Sequence, residues 1–289
     1  MDDHAKQIDS QVAESILKSI RIPPCPEVVV ALMEELRQPD VDFVKLVKLI
    51  SGDVGLAATM LKMANSPFFA LRNKVSSIQQ AVSVLGLKNL TQIVRGSALQ
   101  KALGGDKVAM ERFWERSNLT AVVASHMAAQ LDDIAREDAY TLGLFHDCGI
   151  PILMQQFPDY KEKLAAANQS AELVITIEDK CYSTNHAVVG HMLARNWCLP
   201  GHISQAVRVH HDHSIFTQPD EHSTPEVCAL VAITIVAEHV AAAFLGRPDD
   251  AEWIISGQLA QDHLGISPED MKDISEDALD ELEEIRAYR

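Results

Sequence analysis

The residues best suited to chemistry are an adjacent histidine and aspartate, His146 and Asp147, at the end of an apolar run. The spacing over 138–145 predicts a helix, and Gly149 and Pro151 interrupt its pattern. Neighbouring helical positions lie about 100° apart, so an imidazole and a carboxylate in succession can approach one ion from adjacent faces. Both groups bind divalent metals. The alternative is that His146 makes a hydrogen bond inside the core and Asp147 caps a turn.

Five cysteines are scattered along the chain without a Cys-x-x-Cys pair. Their odd number and spacing predict neither a disulfide framework nor a structural zinc site, and they favour a reducing cytoplasm. Cys148 directly follows the histidine and aspartate, which invites a nucleophile interpretation. A thiol beside an apolar run and a carboxylate has its thiolate disfavoured, and the sequence implies no positioned base. We therefore expect Cys148 to be unreactive and assign no catalytic residue.

The composition favours an all-α protein. Hydrophobic residues make up 47% of the 289 positions, aromatic residues only 5%, and the 13 glycines and 12 prolines are sparse. The formal net charge of −16 repels phosphate groups, so we expect neither nucleic acid nor an anionic membrane surface as a partner. Residues 87–101 are the most basic stretch and are too sparsely charged to form a patch.

The longest apolar run extends from Val227 to Leu245 and is broken near its middle by Glu238 and His239. A membrane-spanning helix needs about 20 mostly apolar residues, so a buried core helix is the better interpretation. The first residues are acidic and polar, unlike a signal peptide. We therefore expect a cytoplasmic protein.

Apolar spacing predicts helices along the whole chain. The first is an amphipathic helix over 3–20, and the second begins at Pro26 after a proline-rich break. Asp40 and Asp53 are expected to cap the third and fourth helices, and Asn65-Ser66-Pro67 to end the fourth. The next two predicted helices cover 78–85, ended by Gly86, and 90–103.

Gly104-Gly105-Asp106 is the best candidate boundary between two lobes. The predicted domains are an N-terminal helical lobe at 1–105, a second helical lobe at 106–245 and a C-terminal helical extension at 246–289 packed on that lobe. Predicted helices after the boundary cover 110–131, 137–148, 160–167, 171–182, 186–197, 202–211 and 225–245. A terminal helix starts at Ser267 and carries an apolar stripe between acidic faces. We interpret those faces as solvated; an association surface is the alternative.

Several short motifs in the first half have a specific order and spacing. They are Pro24-x-Pro26, Ser51-x-Asp53-x-x-Leu56, Leu61-x-x-Ala64-Asn65-Ser66-Pro67-Phe68 and Ser77-Ile78-x-x-Ala81-x-x-x-Leu85-Gly86. In these motifs the chain resembles the HDOD family, the bacterial HD-related output domains, over roughly residues 20–245. The resemblance implies a two-lobed helical fold with an HD-like core in the C-terminal lobe. The motif residues themselves are expected to specify the fold as caps and helix ends and to carry no chemistry.

The second half resembles the wider HD superfamily of metal-dependent phosphohydrolases. Those enzymes bind metal through an early histidine, the His-Asp pair and a late aspartate, and the metal polarises a phosphoryl oxygen and activates water. The pair falls on His146 and Asp147, and the late aspartate falls on Glu238. Arg116 stands where the early histidine would be. A guanidinium has no lone pair to give and remains cationic, so it repels a metal ion.

Two further elements resemble the HD-GYP phosphodiesterases: His186-x-x-x-Gly190 and the pair His210-His211. The Gly-Tyr-Pro signature is missing, and 199–201 reads Leu-Pro-Gly at the corresponding place. The resemblance therefore implies a partly kept metal site. Its candidate ligands are His146, Asp147, Glu238, His186, His210 and His211. No cofactor is expected apart from a divalent metal, which such a remnant site could hold.

The favoured function is a non-catalytic signal-transduction module that regulates through binding. It would bind a protein partner in a bacterial signalling pathway, or a small ligand in the remnant pocket. The family also occurs attached to sensory domains, but this length leaves no room for one, so we expect a stand-alone member. One alternative is a metal-dependent hydrolase of a phosphate ester or cyclic nucleotide, against which Arg116 argues. Another is a helical scaffold without a ligand, which predicts that His146, Asp147, His210 and Glu238 lie far apart or make only core hydrogen bonds.

Overall fold

The computed structural model describes residues 16–65, 74–104, 107–131, 134–167, 172–219, 223–247 and 251–287. None of these residues forms a strand, and the predicted all-α class is confirmed. The described residues divide into two compact units. The larger unit lies within Met1–Pro23 and Gly105–Glu276, and the smaller unit lies within Pro24–Gly104 and Asp277–Arg289.

The smaller unit begins with helices α1 (Glu27–Leu36), α2 (Phe43–Ser51), α3 (Val54–Ala64) and α4 (Ile78–Leu103). Gly86 has a φ of 72° and breaks the helical path inside α4, where the sequence predicted a helix end. The predicted cap of α2 is wrong. Asp42, not Asp40, accepts the backbone N–H groups of Val44 and Lys45, because it directly precedes the first helical residue.

An asparagine side chain holds the end of α3. Asn65 Nδ2 donates to the carbonyl oxygens of Leu61 and Val75, each at 2.8 Å, and its Oδ1 accepts from the N–H of Val75 at 2.7 Å. The side chain thereby satisfies a terminal carbonyl of the helix and fixes the segment that enters α4. The helix stop predicted at Asn65 is confirmed, while its neighbours Ser66 and Pro67 lie outside the described residues.

The larger unit carries the helices from α5 onward. They are α5 (Lys107–Ala128), α6 (Arg136–Phe145), α7 (Gly149–Gln156), α8 (Tyr160–Ala167), α9 (Val174–Tyr182), α10 (His186–Asn196), α11 (Gly201–Val209), a short 3-10 helix (His213–Phe216), α12 (Pro225–Phe244), α13 (Ala251–Leu264) and α14 (Pro268–Ala287). Helix α14 starts in this unit and continues past Glu276. It buries Ile274, Ala278 and Leu282, the stripe that the sequence predicted.

The His-Asp pair lies in a turn and not within a helix. Helix α6 ends at Phe145, and α7 begins at Gly149, so the prediction of one helix over 137–148 is wrong. The sequence also predicted that Gly149 and Pro151 interrupt helical structure, whereas both lie in the first turn of α7. A proline is tolerated there because the first N–H groups of a helix have no intrahelical partner. The turn presents His146 and Asp147 between two helix ends.

Helix α12 is the buried axis of the larger unit. It contacts α5, α6, α11 and α13. Among the described residues it is the one helix long and apolar enough to cross a membrane by length and composition, with a mean hydropathy of 2.1. However, 72% of that stretch is buried inside the protein, as the sequence predicted for a core helix. Glu238 lies on this helix and is buried.

A glycine lets the turn approach the first residues of α10. A Cβ atom at Gly149 would lie 2.0 Å from the carbonyl oxygen of His186 and 2.8 Å from the backbone nitrogen of Gly190. Both obstacles are backbone atoms, so they cannot move aside as a flexible side chain would. The missing side chain therefore allows Asp147, two residues earlier, to face His186.

We expect Gly149→Ala to destabilise the protein by about 3 kcal/mol or more, the upper end of overpacking costs, because the backbones of α7 and α10 must separate. Gly201→Ala is the matched control. Gly201 is the first residue of α11, and a Cβ atom there meets nothing within 4 Å. The free energy of unfolding of the Gly201→Ala variant should differ from that of the wild-type protein by at most about 1 kcal/mol. Urea unfolding measures both variants, and equal stabilities would contradict this account of the helix contact.

Candidate functional site

The structure brings together all six candidate ligands that the resemblance implied. They come from the turn between α6 and α7, the start of α10, the residues after α11, and the middle of α12: His146, Asp147, His186, His210, His211 and Glu238. All are buried except His211, which is half-buried. The scaffold alternative predicted that His146, Asp147, His210 and Glu238 lie far apart or make only core hydrogen bonds. They do not lie far apart, because Asp147 is within 3.7 Å of both histidines and Glu238 is 3.2 Å from His146.

Asp147 is shared by two groups of side chains. Its Oδ2 lies 3.3 Å from His146 Nε2, while its Oδ1 lies 3.2 Å from His186 Nε2 and 3.7 Å from His210 Nε2. We call His146, Asp147 and Glu238 the first cluster, and Asp147, His186, His210 and His211 the second cluster. The potential ligand atoms within each cluster lie within 4.8 Å of one another.

Arg116 occupies the first cluster. Its guanidinium donates a hydrogen bond to Glu238 Oε1 and lies 3.8 Å from Asp147 Oδ2. His146 Nε2 lies 3.2 Å from the same Glu238 oxygen. Burial disfavours the charged form of Glu238, but His146 and Arg116 outweigh it and lower the pKa of Glu238 to about 2. The guanidinium thus supplies a permanent positive charge between two buried carboxylates.

Backbone carbonyls orient two of the four histidines. His146 Nδ1 donates to the carbonyl oxygen of Gly143 at 2.8 Å, and His210 Nδ1 donates to that of Val207 at 2.7 Å. Each acceptor lies three residues earlier in the chain, at the C-terminal end of a helix where carbonyls lack intrahelical partners. The ring nitrogen Nε2 of both histidines is therefore directed into the site.

Carboxylates orient the other two histidines. His186 Nδ1 donates to Glu178 at 2.7 Å, and His211 Nδ1 donates to Glu252 at 2.8 Å. Glu178 also accepts from the backbone N–H of His186 at 3.0 Å and from the Tyr160 hydroxyl. Metal-ligating histidines commonly donate their second ring nitrogen in this way, which fixes the tautomer and the ring orientation. Neither glutamate was predicted from the sequence.

The second cluster needs a positive charge among its imidazoles. A neutral imidazole with its proton on Nδ1 presents a lone pair at Nε2. His186 Nε2 lies 2.9 Å from His211 Nε2 and 3.4 Å from His210 Nε2, so the lone pairs repel unless a proton or a metal ion lies between them. Burial disfavours protonation of His186, but Glu178 and Asp147 outweigh it and raise its pKa to about 10. A proton on His186 therefore meets the requirement in metal-free protein.

The two clusters differ in how well they fit a divalent metal. The second cluster offers three imidazoles and one carboxylate, a donor set suited to zinc, nickel, iron and related ions. Burial lowers the pKa of His210 to about 4, so its ring is neutral as ligation requires. The first cluster does not fit, because the Arg116 guanidinium occupies it and offers only donors.

A third group lies outside these clusters. His202 Nε2 is 3.0 Å from Asp138 and 3.8 Å from Glu226. Each residue belongs to the first turn of a different helix, α11, α6 or α12. Acidic side chains at those positions compensate the positive ends of the helices, and the same ends disfavour a bound cation. The group therefore has a structural role in helix stability.

Comparisons with known proteins support the fold. The family model for the HDOD domain matches residues 22–213. An uncharacterized protein of Treponema pallidum is 28% identical over 206 residues, which is 70% of this chain and 40% of that protein. The cyclic di-GMP phosphodiesterase CdgJ of Vibrio cholerae is 26% identical over 152 residues, 50% of this chain and 34% of that protein. The chain therefore spans less than half the length of both relatives.

Among solved structures, an HDOD domain protein of unknown function from Geobacter sulfurreducens matches with a TM-score of 0.73. The match covers 97% of both chains at 22% sequence identity. At this identity the likeness shows the fold alone.

Cys148 is expected to resist thiol reagents in the native protein. It is fully buried, and burial together with the neighbouring Asp147 raises the pKa of its thiol. Cys181 and Cys198 are exposed and should react with a disulfide reagent at pH 8, whereas Cys148 should react only after unfolding. Peptide mass spectrometry identifies the modified sites, and Cys181→Ser serves as a control for assignment. Native labelling of Cys148 at the rate of Cys198 would contradict this expectation.

Proposed function

Because this chain belongs to the HDOD family, we propose that it is a signal-transduction module that acts by binding a protein partner and not by hydrolysis. HDOD domains are found in signalling proteins, some of which are related to phosphohydrolases. A partner in a bacterial signalling pathway is part of the proposal.

The observation that carries the proposal is the ion pair between Arg116 and Glu238. The resemblance to the HD superfamily places a metal-binding histidine at the position of Arg116, and this chain has a group there that cannot donate a lone pair. The guanidinium already compensates the charges of Glu238 and Asp147, so a metal ion in the first cluster would have to displace it. An ion pair of this kind keeps the buried carboxylates compensated while removing a metal ligand.

The second cluster supports a regulatory role for metal. His186, His210, His211 and Asp147 would hold a divalent ion there. When bound, such an ion can act as a Lewis acid toward a coordinated oxygen. In this proposal its effect is on stability: an ion that binds only the folded state stabilises it by about 2.7 kcal/mol at a concentration 100-fold above its Kd.

The second candidate function is metal-dependent phosphohydrolysis. The convergence of six potential ligand residues favours it, as does the name of the relative CdgJ, a cyclic di-GMP phosphodiesterase. This candidate requires that Arg116 leave the first cluster or that the second cluster suffice for catalysis.

Hydrolysis assays distinguish the two candidates. Untagged protein supplied with Mn²⁺, Fe²⁺, Ni²⁺ or Zn²⁺ is expected to hydrolyse neither bis(p-nitrophenyl) phosphate nor cyclic di-GMP faster than its His146→Ala variant. The His146→Ala variant is instead expected to have a lower free energy of unfolding. Alternatively, when it is immobilised, it should retain more than tenfold less of the bacterial partner proteins than the immobilised wild-type protein does. A metal-dependent rate that His146→Ala abolishes would contradict the proposal and favour the hydrolase.

Arg116→His should give the first cluster a metal ligand. The substitution removes the guanidinium and adds a neutral ring nitrogen beside His146, Asp147 and Glu238. We expect it to bind one more divalent ion per chain than the wild-type protein, as measured by elemental analysis after removal of loosely bound metal. Arg116→Ala is the control, because it removes the positive charge without adding a ligand. Equal metal content in the wild-type protein and Arg116→His would show that Arg116 is not what keeps metal from the first cluster.

A further inference from the structure

Glu252 connects helix α13 to the second cluster. Its Oε2 accepts a hydrogen bond from His211 Nδ1 at 2.8 Å, and its Oε1 accepts one from His213 Nε2. The side chain is only 14% exposed. Glu252 lies 41 residues after His211 and beyond the residues matched by the HDOD family model. No part of that family match assigns it a role.

Aromatic contacts fix α13 in the position that Glu252 requires. The rings of His239 on α12 and Trp253 on α13 stack with centroids 3.8 Å apart and planes 9° apart. A Cβ atom at Gly257 would lie 2.7 Å from the Trp253 ring, so the indole packs against its own helix at a position that has no side chain. Farther along α13, the ring of His263 lies 5.2 Å from that of Phe216. The helix that carries Glu252 is therefore packed against α12 and against the short 3-10 helix.

The contact determines what His211 presents to the second cluster. A carboxylate only accepts hydrogen bonds, so the His211 proton lies on Nδ1. The lone pair of His211 is then on Nε2, which lies 2.9 Å from His186 Nε2. Glu178 performs the same task for His186 from α9. Two histidines of the second cluster are thus each held by a carboxylate from a separate helix.

We propose that Glu252 is a positioning residue for a divalent transition-metal ion at the second cluster, and that α13 is thereby a part of the metal centre. The inference rests on the proposed occupancy of the second cluster. It has a thermodynamic consequence. If Glu252 strengthens metal binding through His211, then metal binding must strengthen the docking of α13 by the same free energy.

Glu252→Gln tests the proposal with Co²⁺ as the probe. An amide is neutral and has one acceptor oxygen, with a donor group in place of the second, so glutamine cannot accept from His211 and His213 through separate oxygens as the carboxylate does. We expect a loss of about 10- to 100-fold in Co²⁺ affinity, the usual effect of removing such a partner, and an altered Co²⁺ absorption spectrum at saturation. Asp262→Asn is the matched control: it makes the same charge change on α13, where the exposed Asp262 accepts a hydrogen bond from Gln258. Its affinity should stay within twofold of the wild-type value.

The possible outcomes distinguish a failure of metal binding at the second cluster from a failure of the role proposed for Glu252. If the wild-type protein binds no Co²⁺, both the metal occupancy and the role of Glu252 are overturned. If the wild-type protein binds Co²⁺ and Glu252→Gln matches it in affinity and spectrum, the role of Glu252 alone is overturned. A lower thermal stability with unchanged affinity would also overturn it, because that result describes a purely structural contact.

A measurement on the wild-type protein serves if Glu252→Gln does not fold. Hydrogen exchange with and without Zn²⁺ reports how firmly α13 is docked. We expect Zn²⁺ to slow exchange of the amides in 251–264 at least fivefold, and to leave α2, in the smaller unit, unchanged. Equal exchange of α13 with and without Zn²⁺, under conditions where metal is bound, would overturn the proposal.

Discussion

The buried carboxylate of Asp147 is the constraint that organises the larger unit. A buried anion is unfavourable unless positive groups and hydrogen-bond donors surround it. One oxygen of Asp147 faces His146 and Arg116, and the other faces His186 and His210. These partners come from four places in the chain, so α5, α10, α11 and the turn before α7 must converge. The tight contact between α7 and α10, which a glycine permits, follows from the same requirement.

Arg116 and a divalent ion would compensate the carboxylates in different ways. A metal ion is exchangeable, carries two charges and accepts lone pairs from its ligands and from substrate oxygen. The guanidinium carries one charge, is bound to the chain and only donates hydrogen bonds. It therefore keeps the electrostatic part of the role in the first cluster and removes the Lewis acidity. The second cluster keeps three imidazoles and a carboxylate, so an exchangeable ion, as proposed, would bind there.

The fold was largely predictable because its signals are local. Apolar spacing located the helices, and Asp53 caps α3 as expected. Apolar spacing predicted helix through the His-Asp turn, and the turn departs little from that prediction, since His146 and Cys148 keep helical backbone angles. The partners of the pair came from family resemblance, since 92 residues separate His146 from Glu238 and no local spacing encodes the contact. Glu178 and Glu252 escaped prediction because a glutamate on a helix is normally solvated, and only burial beside an imidazole distinguishes them.

The dependence of His211 on α13 bears on where the domain is considered to end. A fragment trimmed to the recognised family limits would stop at residue 213, before α12 and α13. It would retain all four histidines of the two clusters while losing Glu238 and Glu252. Weak ion affinity measured on such a fragment would then be ascribed to a decayed motif, although the fragment lacks a candidate ligand, Glu238, and the carboxylate that holds His211. A comparison of homologues restricted to those limits would likewise miss the dependence of His211 on α13.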